Sequence, residues 1–232
     1  MKNKNLISCS GYAGSGKDTV AEIIQKLTTP EPFLYEYDEF GRPYKENGDY
    51  VLKPTRSPYQ IKKWAGPLRK VAAILLGMDE QYLYTTEFKE SILPECWDKN
   101  ILNKGEGPDT KAKMTGREFL QKLGTNAMRD GLHTNSWVNA LIAEYKPPKM
   151  SEYNPSKWII SDTRFPNELE AVRDRNGITI KVVRPSLVST DTHPSETSLD
   201  HITDWDYVII NDSSIEDLIE KVRVILQTEN II

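Results

Sequence analysis

The sequence predicts an α/β fold with a mainly parallel, five-stranded sheet. Apolar runs of strand length alternate with amphipathic helical segments along the 232 residues, a pattern that is typical of parallel sheets. A glycine-rich turn lies directly between the first predicted strand and the first predicted helix. With 38% hydrophobic and 28% charged residues, the composition suits a globular domain and excludes disorder of the whole chain. We therefore expect a single domain over residues 1–232 that carries two insertions.

The first half of the chain contains two predicted strands and two predicted helices. Residues 6–10 form a short buried strand, and the apolar side chains of residues 18–27 recur at helical spacing. Residues 60–64 are extended. Pro67 then occupies the first turn of a helix that ends at Gly77, because proline is accepted at helix starts and glycine is favoured after helix ends.

Two segments of this half do not fit the alternation. Residues 31–59 are rich in Tyr, Gly and Pro, and Asn47-Gly48 is a typical hairpin turn, so we interpret them as an aromatic-rich insertion that forms a hairpin. Residues 78–113 show no sustained period, which is typical of a surface segment or lid.

The second half begins with a capping box, in which Thr115 and Glu118 open a helix. A strand that ends in Asp162 follows later, and Ser213 and Ser214 cap the last helix. The predicted helices here are residues 116–129, 137–145, 166–175 and 215–226, and the predicted strands are residues 158–162, 178–183 and 207–210.

Charge and residue content exclude several classes of function. The formal charge of −4 gives no general attraction for nucleic acid, so we expect no nucleic-acid partner. The chain has no apolar run of membrane-spanning length and no signal peptide, so we expect no membrane partner and a cytoplasmic protein. Two cysteines and three histidines without ligand spacing predict neither a disulfide framework nor a zinc site.

The strongest signal is the segment from Gly11 to Lys17, which matches G-x-x-x-x-G-K between a strand and a helix. Backbone N–H groups of such a loop converge on a phosphate, and the lysine adds a full positive charge. The residues expected to contact nucleotide phosphates are Gly11, Ala13, Gly14, Ser15, Gly16, Lys17, Asp18 and Thr19.

Asp18 departs from this motif, because Ser or Thr normally follows the lysine and binds Mg²⁺. Two arrangements remain open. The Asp18 carboxylate holds a magnesium-bound water, or the hydroxyl of Thr19 takes over as metal ligand.

The acceptor side is expected among the remaining cationic and carboxylate groups. Asp162 and Arg164 lie at the carboxyl end of a parallel strand, where ligands of α/β proteins bind. Asp162 could order a magnesium-bound water, accept a substrate hydroxyl or cap a turn, and Glu168 could cap a helix or fix Arg164. The arginines considered as phosphate ligands are Arg69, Arg117, Arg129, Arg164 and Arg184.

Other candidates carry two interpretations each. Gly124 could allow close approach of a ligand or of another helix, and Trp137 could stack on a base or belong to the core. Asn211 could contact an adenine or belong to a helix cap. His193, within the polar cluster of residues 191–196, is expected to shape a loop, because phosphoryl transfer needs no histidine.

Seven stretches of the chain resemble the deoxynucleoside monophosphate kinases of tailed bacteriophages, which belong to the P-loop kinases related to adenylate kinase. Asp18 is similar too, because that family also has Asp after the P-loop lysine. The stretches are SGYAGSGKDT (10–19), AGPLRK (65–70), REFLQKLGT (117–125), SDTRFPNELEAVR (161–173), VVRP (182–185), DTHPSE (191–196) and NDSSIEDL (211–218).

The resemblance implies a three-layer, adenylate-kinase-like fold and ATP-dependent phosphorylation of a deoxynucleoside 5′-monophosphate with Mg²⁺. Residues 78–113 would correspond to the lid, and a phage-encoded enzyme would act in the host cytoplasm; a homodimer is left open. Lys17, Asp162 and Arg164 are the expected catalytic residues, and Asp18 and Thr19 the expected metal ligands. The residues expected around the monophosphate are Arg69, Lys70, Arg117, Thr125, Arg129, Trp137, Asp162, Arg164 and Glu168.

Two alternatives remain. The chain could be another P-loop small-molecule kinase, such as one resembling dephospho-coenzyme A kinase, to which residues 211–218 are also similar. It could also be a non-catalytic module that binds nucleotide without turnover.

Overall fold

The structure is a computed structural model that describes residues 2–30, 45–46, 49–50, 55–101, 110–146, 156–187 and 197–232. Its contacts concentrate in two compact units. The first unit comprises Met1–Lys63 together with Lys146–Ile232, and the second comprises Trp64–Tyr145. The single domain with two insertions stays a prediction.

The regular elements follow the predicted order closely. The strands are β1 (Asn3–Ser10), β2 (Lys45–Glu46), β3 (Asp49–Tyr50), β4 (Gln60–Lys62), β5 (Lys99–Ile101), β6 (Thr110–Ala112), β7 (Trp158–Thr163), β8 (Gly177–Val183) and β9 (Tyr207–Ile210). The helices are α1 (Lys17–Leu27), α2 (Gly66–Leu76), α3 (Thr86–Glu90), α4 (Gly116–Gln121), α5 (Ser136–Ile142), α6 (Pro166–Arg173) and α7 (Ile215–Thr228).

The first unit is built on a five-stranded sheet with the order β4-β7-β1-β8-β9. Every pairing in it is parallel, which confirms the predicted α/β class. All five carboxyl ends therefore lie at one edge of the sheet. Parallel strands are buried on both faces, and β1 is apolar and buried over most of its length for this reason.

The core of the first unit lies between the sheet and its helices. Helix α1 contacts α7, and α6 contacts β8 and β1. Side chains of β1, α1, β7, β8 and α7 form one apolar cluster. Its fully or almost fully buried members include Ile7, Val20, Ile24, Ile159, Ile180, Val222 and Leu226.

The second unit has a separate, smaller core, which includes Ala72 of α2, Phe119 of α4 and three residues of the segment predicted to be a lid. These are Leu83, Phe88 and Leu93. The segment therefore contributes to a core although its sequence shows no helical period. The period is missing because its helices are short: α3 has five residues and Tyr82–Tyr84 has three. A lid function of residues 78–113 stays a prediction.

The helix predicted over residues 116–129 changes type along its length. The Thr115 hydroxyl and the Glu118 carboxylate form the predicted capping box, and α4 then gives way to a π-helix, Lys122–Asp130. Gly124 lies in this π-helix. A Cβ atom on it would lie 3.1 Å from the Leu68 side chain, so the glycine allows α2 to pack closely here. Close approach of a ligand to Gly124 stays a prediction.

The predicted hairpin in residues 31–59 is confirmed, because β2 and β3 pair antiparallel. Its expected turn at residues 47–48 lies outside the described residues. Within the part of the chain that the structure describes, no helix is long and apolar enough to cross a membrane.

Truncation of Leu226 should destabilise the first unit, because this side chain of α7 is 1% exposed. We expect Leu226→Ala to lower the free energy of unfolding by about 2–5 kcal/mol, since the cavity adds to the lost apolar burial. Val224→Ala is the matched control on the same helix, because Val224 is 52% exposed. Urea denaturation should show a change of no more than about 0.5 kcal/mol for the control; equal losses in the two variants would contradict this packing.

Candidate active site

The glycine-rich loop spans the gap between β1 and α1. Strand β1 ends at Ser10, and α1 begins at Lys17 with Gly16 as its N-cap. The backbone N–H of Ser15 donates to the Tyr12 carbonyl at 3.1 Å, which closes the loop into a turn. The loop thus lies at the carboxyl edge of the sheet and against a helix N-terminus, the arrangement that binds phosphate groups.

Asn211, directly after β9, fixes this loop from a strand end that lies two strands away from β1. Its backbone N–H donates to the Val183 carbonyl at 2.7 Å, and its side-chain Nδ2 donates to the Ser15 carbonyl at 2.9 Å. Gly16 has a φ of 99°, and a Cβ atom there would lie 2.5 Å from Asn211 Nδ2. Position 16 therefore requires glycine for its backbone conformation and for the approach of Asn211.

The amide of Asn211 thus has a role in holding the loop that the sequence does not indicate, and its contact with an adenine stays a prediction. Ser214 provides the cap of α7, since its Oγ accepts from the backbone N–H of Asp217 at 3.3 Å. Of the two serines predicted as caps, Ser213 and Ser214, the capping role is confirmed for Ser214.

Two polar side chains of the loop are buried. Lys17 is 5% exposed, and its ammonium group donates to the Tyr12 carbonyl at 3.3 Å. Ser15 is 1% exposed, and its Oγ has no hydrogen-bond partner among the described residues. A bound phosphate would bring negative charge to the ammonium and acceptor oxygens to the hydroxyl, so the loop fits such a ligand.

Asp18 is held by two other strand ends. Lys63, directly after β4, lies 3.0 Å from Asp18 Oδ1, and Ser161 of β7 donates to the same oxygen at 2.9 Å. Burial acts to raise the pKa of Asp18, but the hydrogen bonds from Lys63 and Ser161 and the charges of Lys63 and Lys17 lower it below its usual value. Asp18 is therefore an ionised carboxylate at neutral pH.

The oxygen donors at this point fit a magnesium ion that arrives with a nucleotide. Mg²⁺ typically binds one or two protein oxygens and completes its shell with phosphates and water. Asp18 uses Oδ1 for both contacts, and Oδ2 makes no hydrogen bond to the residues described here. The described residues contain no group of three or more His, Cys, Asp or Glu side chains that could hold a metal without the nucleotide.

The neighbouring thiol is unsuited to nucleophilic chemistry. Cys9 of β1 is fully buried, and burial together with the Asp18 charge raises its pKa to about 12. It stays protonated at neutral pH and acts as an apolar core residue.

Glu168 organises the end of β7. It is 2% exposed, and its Oε2 accepts from the backbone N–H of Arg164 at 2.9 Å and of Phe165 at 3.2 Å. The buried carboxylate therefore caps α6 and fixes the backbone of Arg164, which combines the two interpretations given for it. Asp162, which lies two residues before Arg164, is half-buried.

Two cavities of the first unit adjoin the loop. The larger, about 500 Å³, is lined by the cationic side chains of Arg164, Lys181 and Arg184 beside Gly11 and Tyr12. The other, about 390 Å³, is lined by the loop itself and by β9-end residues that include Asn211 and Ser213. The cationic walls and the loop's backbone N–H groups suit both cavities to phosphorylated ligands.

Arg184 lines both cavities and contacts the loop, since its Nη1 donates to the Gly14 carbonyl at 3.5 Å. Arg184 is among the arginines expected as phosphate ligands, whereas no motif of the sequence indicates Lys63 or Lys181. All three residues lie in or directly after a predicted strand. This position could have indicated that they lie near the sheet edge that carries the loop.

The remaining predicted residues lie in the second unit. Lys70 forms an ion pair with Glu144 at 2.7 Å, and Arg69 donates to the Ala65 carbonyl at 3.3 Å. Trp137 is 3% exposed, and its indole Nε1 donates to the Gly124 carbonyl at 2.9 Å, an arrangement typical of a core residue. Its contact with a base stays a prediction.

The other three lie on helix surfaces of the same unit. Arg117 is exposed in the first turn of α4, and Thr125 and Arg129 lie on the π-helix, exposed and half-buried respectively. The cluster of residues 191–196, with His193, lies outside the described residues.

Loss of the Asn211 amide should weaken nucleotide binding. We expect Asn211→Ala to raise the Kd for a nucleoside triphosphate about 2- to 12-fold, because a single hydrogen bond contributes about 0.5–1.5 kcal/mol. Isothermal titration with a non-hydrolysable analogue measures this. Asp212→Asn is the matched control, since Asp212 makes a surface ion pair with Lys221; a similar loss there would contradict a specific role for Asn211.

Asp18 should stabilise the fold in a pH-dependent manner. Because its folded-state pKa is lowered from the ordinary value of 3.8, its contribution is fully present above that value and is lost as the pH falls through the lowered one. The difference in unfolding free energy between wild type and Asp18→Asn should therefore be constant from pH 7 to about pH 5 and shrink below about pH 4. Urea denaturation across this range measures it, and Lys63→Met should reduce the pH-dependent part; a difference that grows in acid would have the wrong sign.

Comparison with known proteins agrees with this geometry. The family model described as "Deoxynucleotide monophosphate kinase" matches residues 76–222. The deoxynucleotide monophosphate kinase of Enterobacteria phage T4 is 32% identical and that of Escherichia phage RB69 33% identical, over 94% and 96% of this chain and 97% and 99% of theirs. A putative deoxynucleotide monophosphate kinase of Acanthamoeba polyphaga mimivirus is 30% identical over 94% of this chain and 93% of its own. The chain belongs to the deoxynucleotide monophosphate kinase family.

Proposed function

We propose that this protein transfers the γ-phosphoryl group of ATP to the 5′-phosphate of a deoxynucleoside monophosphate, which yields ADP and the deoxynucleoside diphosphate. The observation that carries the proposal is the phosphate loop with its buried Lys17, at the carboxyl end of β1, in a chain of this family. The names of the relatives support the acceptor class. A formal charge of −4 supports a small acceptor rather than a nucleic acid.

The donor phosphates are held by the loop. Its backbone N–H groups and the Lys17 ammonium neutralise charge on ATP, and the same groups stabilise the charge that shifts toward the β–γ bridging oxygen. Asn211 keeps the loop in place through Ser15. The site therefore needs little rearrangement when the phosphates bind.

Asp18 and Thr19 are the residues that would hold Mg²⁺. The ion, when bound, neutralises phosphate charge and orients the donor oxygens. Ser161 and Lys63 keep Oδ1 of Asp18 fixed, so this carboxylate would be preorganised to hold the ion directly or through one of its waters.

Transfer is in line and needs no covalent enzyme intermediate. An oxygen of the acceptor phosphate attacks Pγ, the bond from Pγ to the β–γ bridging oxygen breaks, and ADP leaves with that electron pair. Arg164, whose backbone is fixed by Glu168, draws in the acceptor phosphate, and Asp162 orders a water or a substrate hydroxyl. The additional residues proposed around the monophosphate are Arg69, Lys70, Arg117, Thr125, Arg129 and Trp137.

A substrate panel tests the proposal. ADP release is measured with Mg-ATP and each deoxynucleoside and ribonucleoside monophosphate, with dephospho-coenzyme A and no acceptor as controls. Turnover with at least one deoxynucleoside monophosphate supports the proposed reaction. Activity on dephospho-coenzyme A alone would indicate another small-molecule kinase, and ATP binding without any turnover would indicate a binding module.

Lys17→Ala should abolish turnover, by a factor of at least about 100, because the variant loses a charge that stabilises the transferring group. Lys26→Ala is the matched control, since Lys26 is an exposed lysine in the last turn of the same helix. Thermal unfolding verifies that both variants fold. Substantial activity in Lys17→Ala would contradict the proposal that the loop binds the donor phosphates through Lys17.

A further inference from the structure

We infer that Tyr84 positions the guanidinium group of Arg69 for the phosphate of the acceptor nucleotide. The inference rests on the proposed function, and it adds a residue that no motif of the sequence indicates. It concerns the second unit, where Arg69 lies in the first turn of α2 and Tyr84 ends the short helix Tyr82–Tyr84.

Arg69 is held by contacts that leave its charge uncompensated. Its guanidinium carbon lies 4.2 Å from the centre of the Tyr84 ring, and its Nη1 donates to the Ala65 carbonyl at 3.3 Å. Its Nε is buried without a hydrogen-bond partner among the described residues. Both partners are neutral, and Arg69 forms no ion pair with the residues that the structure describes.

The adjacent cation is in the opposite situation. Lys70 forms an ion pair with Glu144 at 2.7 Å, and this hydrogen bond raises the pKa of the Lys70 ammonium although partial burial opposes it. To bind a further anion, Lys70 has to share or give up this contact. Of the two cations in the AGPLRK stretch, Arg69 is therefore the one that no carboxylate of the described residues pairs with.

The tyrosine ring is itself firmly held. The backbone N–H of Tyr84 donates to the Gln81 carbonyl at 3.2 Å, and that of Thr85 donates to the Tyr82 carbonyl at 3.0 Å. Leu83, the residue before it, is fully buried in the core of the unit. A ring on such an anchored turn restricts the rotamers of the arginine that lies on it.

The contacts of Arg69 determine which of its N–H groups can bind a ligand. The guanidinium carbon lies over the ring, Nε is buried, and Nη1 donates one hydrogen bond to Ala65, so one N–H on Nη1 and two on Nη2 are left for a ligand. A planar fork of this kind suits a phosphate monoester. The N-terminus of α2, which has no acidic side chain in its first turn, adds a favourable dipole for the same anion.

The test uses the full chain and a deoxynucleoside monophosphate that it phosphorylates. Tyr84→Leu removes the ring face, Tyr84→Phe keeps it, and Arg69→Ala removes the charge. We expect Tyr84→Leu to raise the KM for the monophosphate about tenfold, as for loss of a partly desolvated cation–π contact. The KM for ATP should change less than about twofold, and Tyr84→Phe should restore the acceptor KM.

A double variant separates positioning from a general loss of structure. If Tyr84 acts through Arg69, adding Tyr84→Leu to Arg69→Ala should not raise the acceptor KM further. Additive effects would overturn the inference, because they would show that Tyr84 acts elsewhere. This comparison remains decisive even if Tyr84→Leu lowers the thermal midpoint. The loss of stability would occur both in the wild-type protein and in the Arg69→Ala variant, so it would not by itself make the two substitutions non-additive.

Failure of the inference and failure of the proposed function give different results. A wild-type enzyme that turns over while Tyr84→Leu keeps the wild-type acceptor KM would overturn the inference alone. If the wild type phosphorylates no monophosphate, the proposed function fails. Direct titration of deoxynucleoside monophosphates into wild type and Tyr84→Leu then decides: a weaker Kd in the variant supports the inference, and equal or absent binding overturns it.

Discussion

The site depends on strand β1 being held from both sides. It pairs in parallel with β7 on one side and with β8 on the other, and its last five residues are buried. Its buried polar side chains are accommodated too, since Ser8 Oγ and Thr163 Oγ1 share a hydrogen bond of 2.7 Å. The phosphate loop begins directly after this strand, so its first residue cannot shift without loss of sheet pairing. Preorganisation of the loop is thus a consequence of sheet topology.

The aspartate after the loop lysine poses an electrostatic problem that the same sheet edge solves. A carboxylate beside bound phosphates would repel them, whereas the usual hydroxyl would not. Here Lys63 and Ser161, at the ends of two further strands, both contact Oδ1 of Asp18. Together with Lys17, Lys63 makes the local charge balance positive, and both contacts use Oδ1 of Asp18. Three strand ends therefore support one charge arrangement that none of them could provide alone.

Elements were predictable from the sequence wherever local chemistry determines them. The helix openings at Thr115 and Ser214 and the glycine end of α2 follow from capping groups within a few residues, and four of the five sheet strands follow from apolar runs. The exception is β4, whose sequence is Gln-Ile-Lys. The partners of site residues were not predictable, because Asp18 and Ser161 are 143 positions apart and Asn211 and Ser15 are 196 apart. Likewise, no period reveals a π-helix or the one-turn helices of the second unit.

The adjacent cations Arg69 and Lys70 show what a sequence motif leaves out. A family resemblance compares residue types only, and it therefore assigns both side chains as phosphate ligands. Their ability to bind an anion depends on what already surrounds them: Glu144 offsets the charge of Lys70, whereas a neutral ring and a carbonyl hold Arg69 without offsetting its charge. The end of β7 is ordered differently, because there the Glu168 carboxylate accepts hydrogen bonds from the backbone N–H groups of Arg164 and Phe165. At Arg69 the supporting contacts restrict conformation through neutral groups, which is how a binding site can be ordered and still attract its ligand.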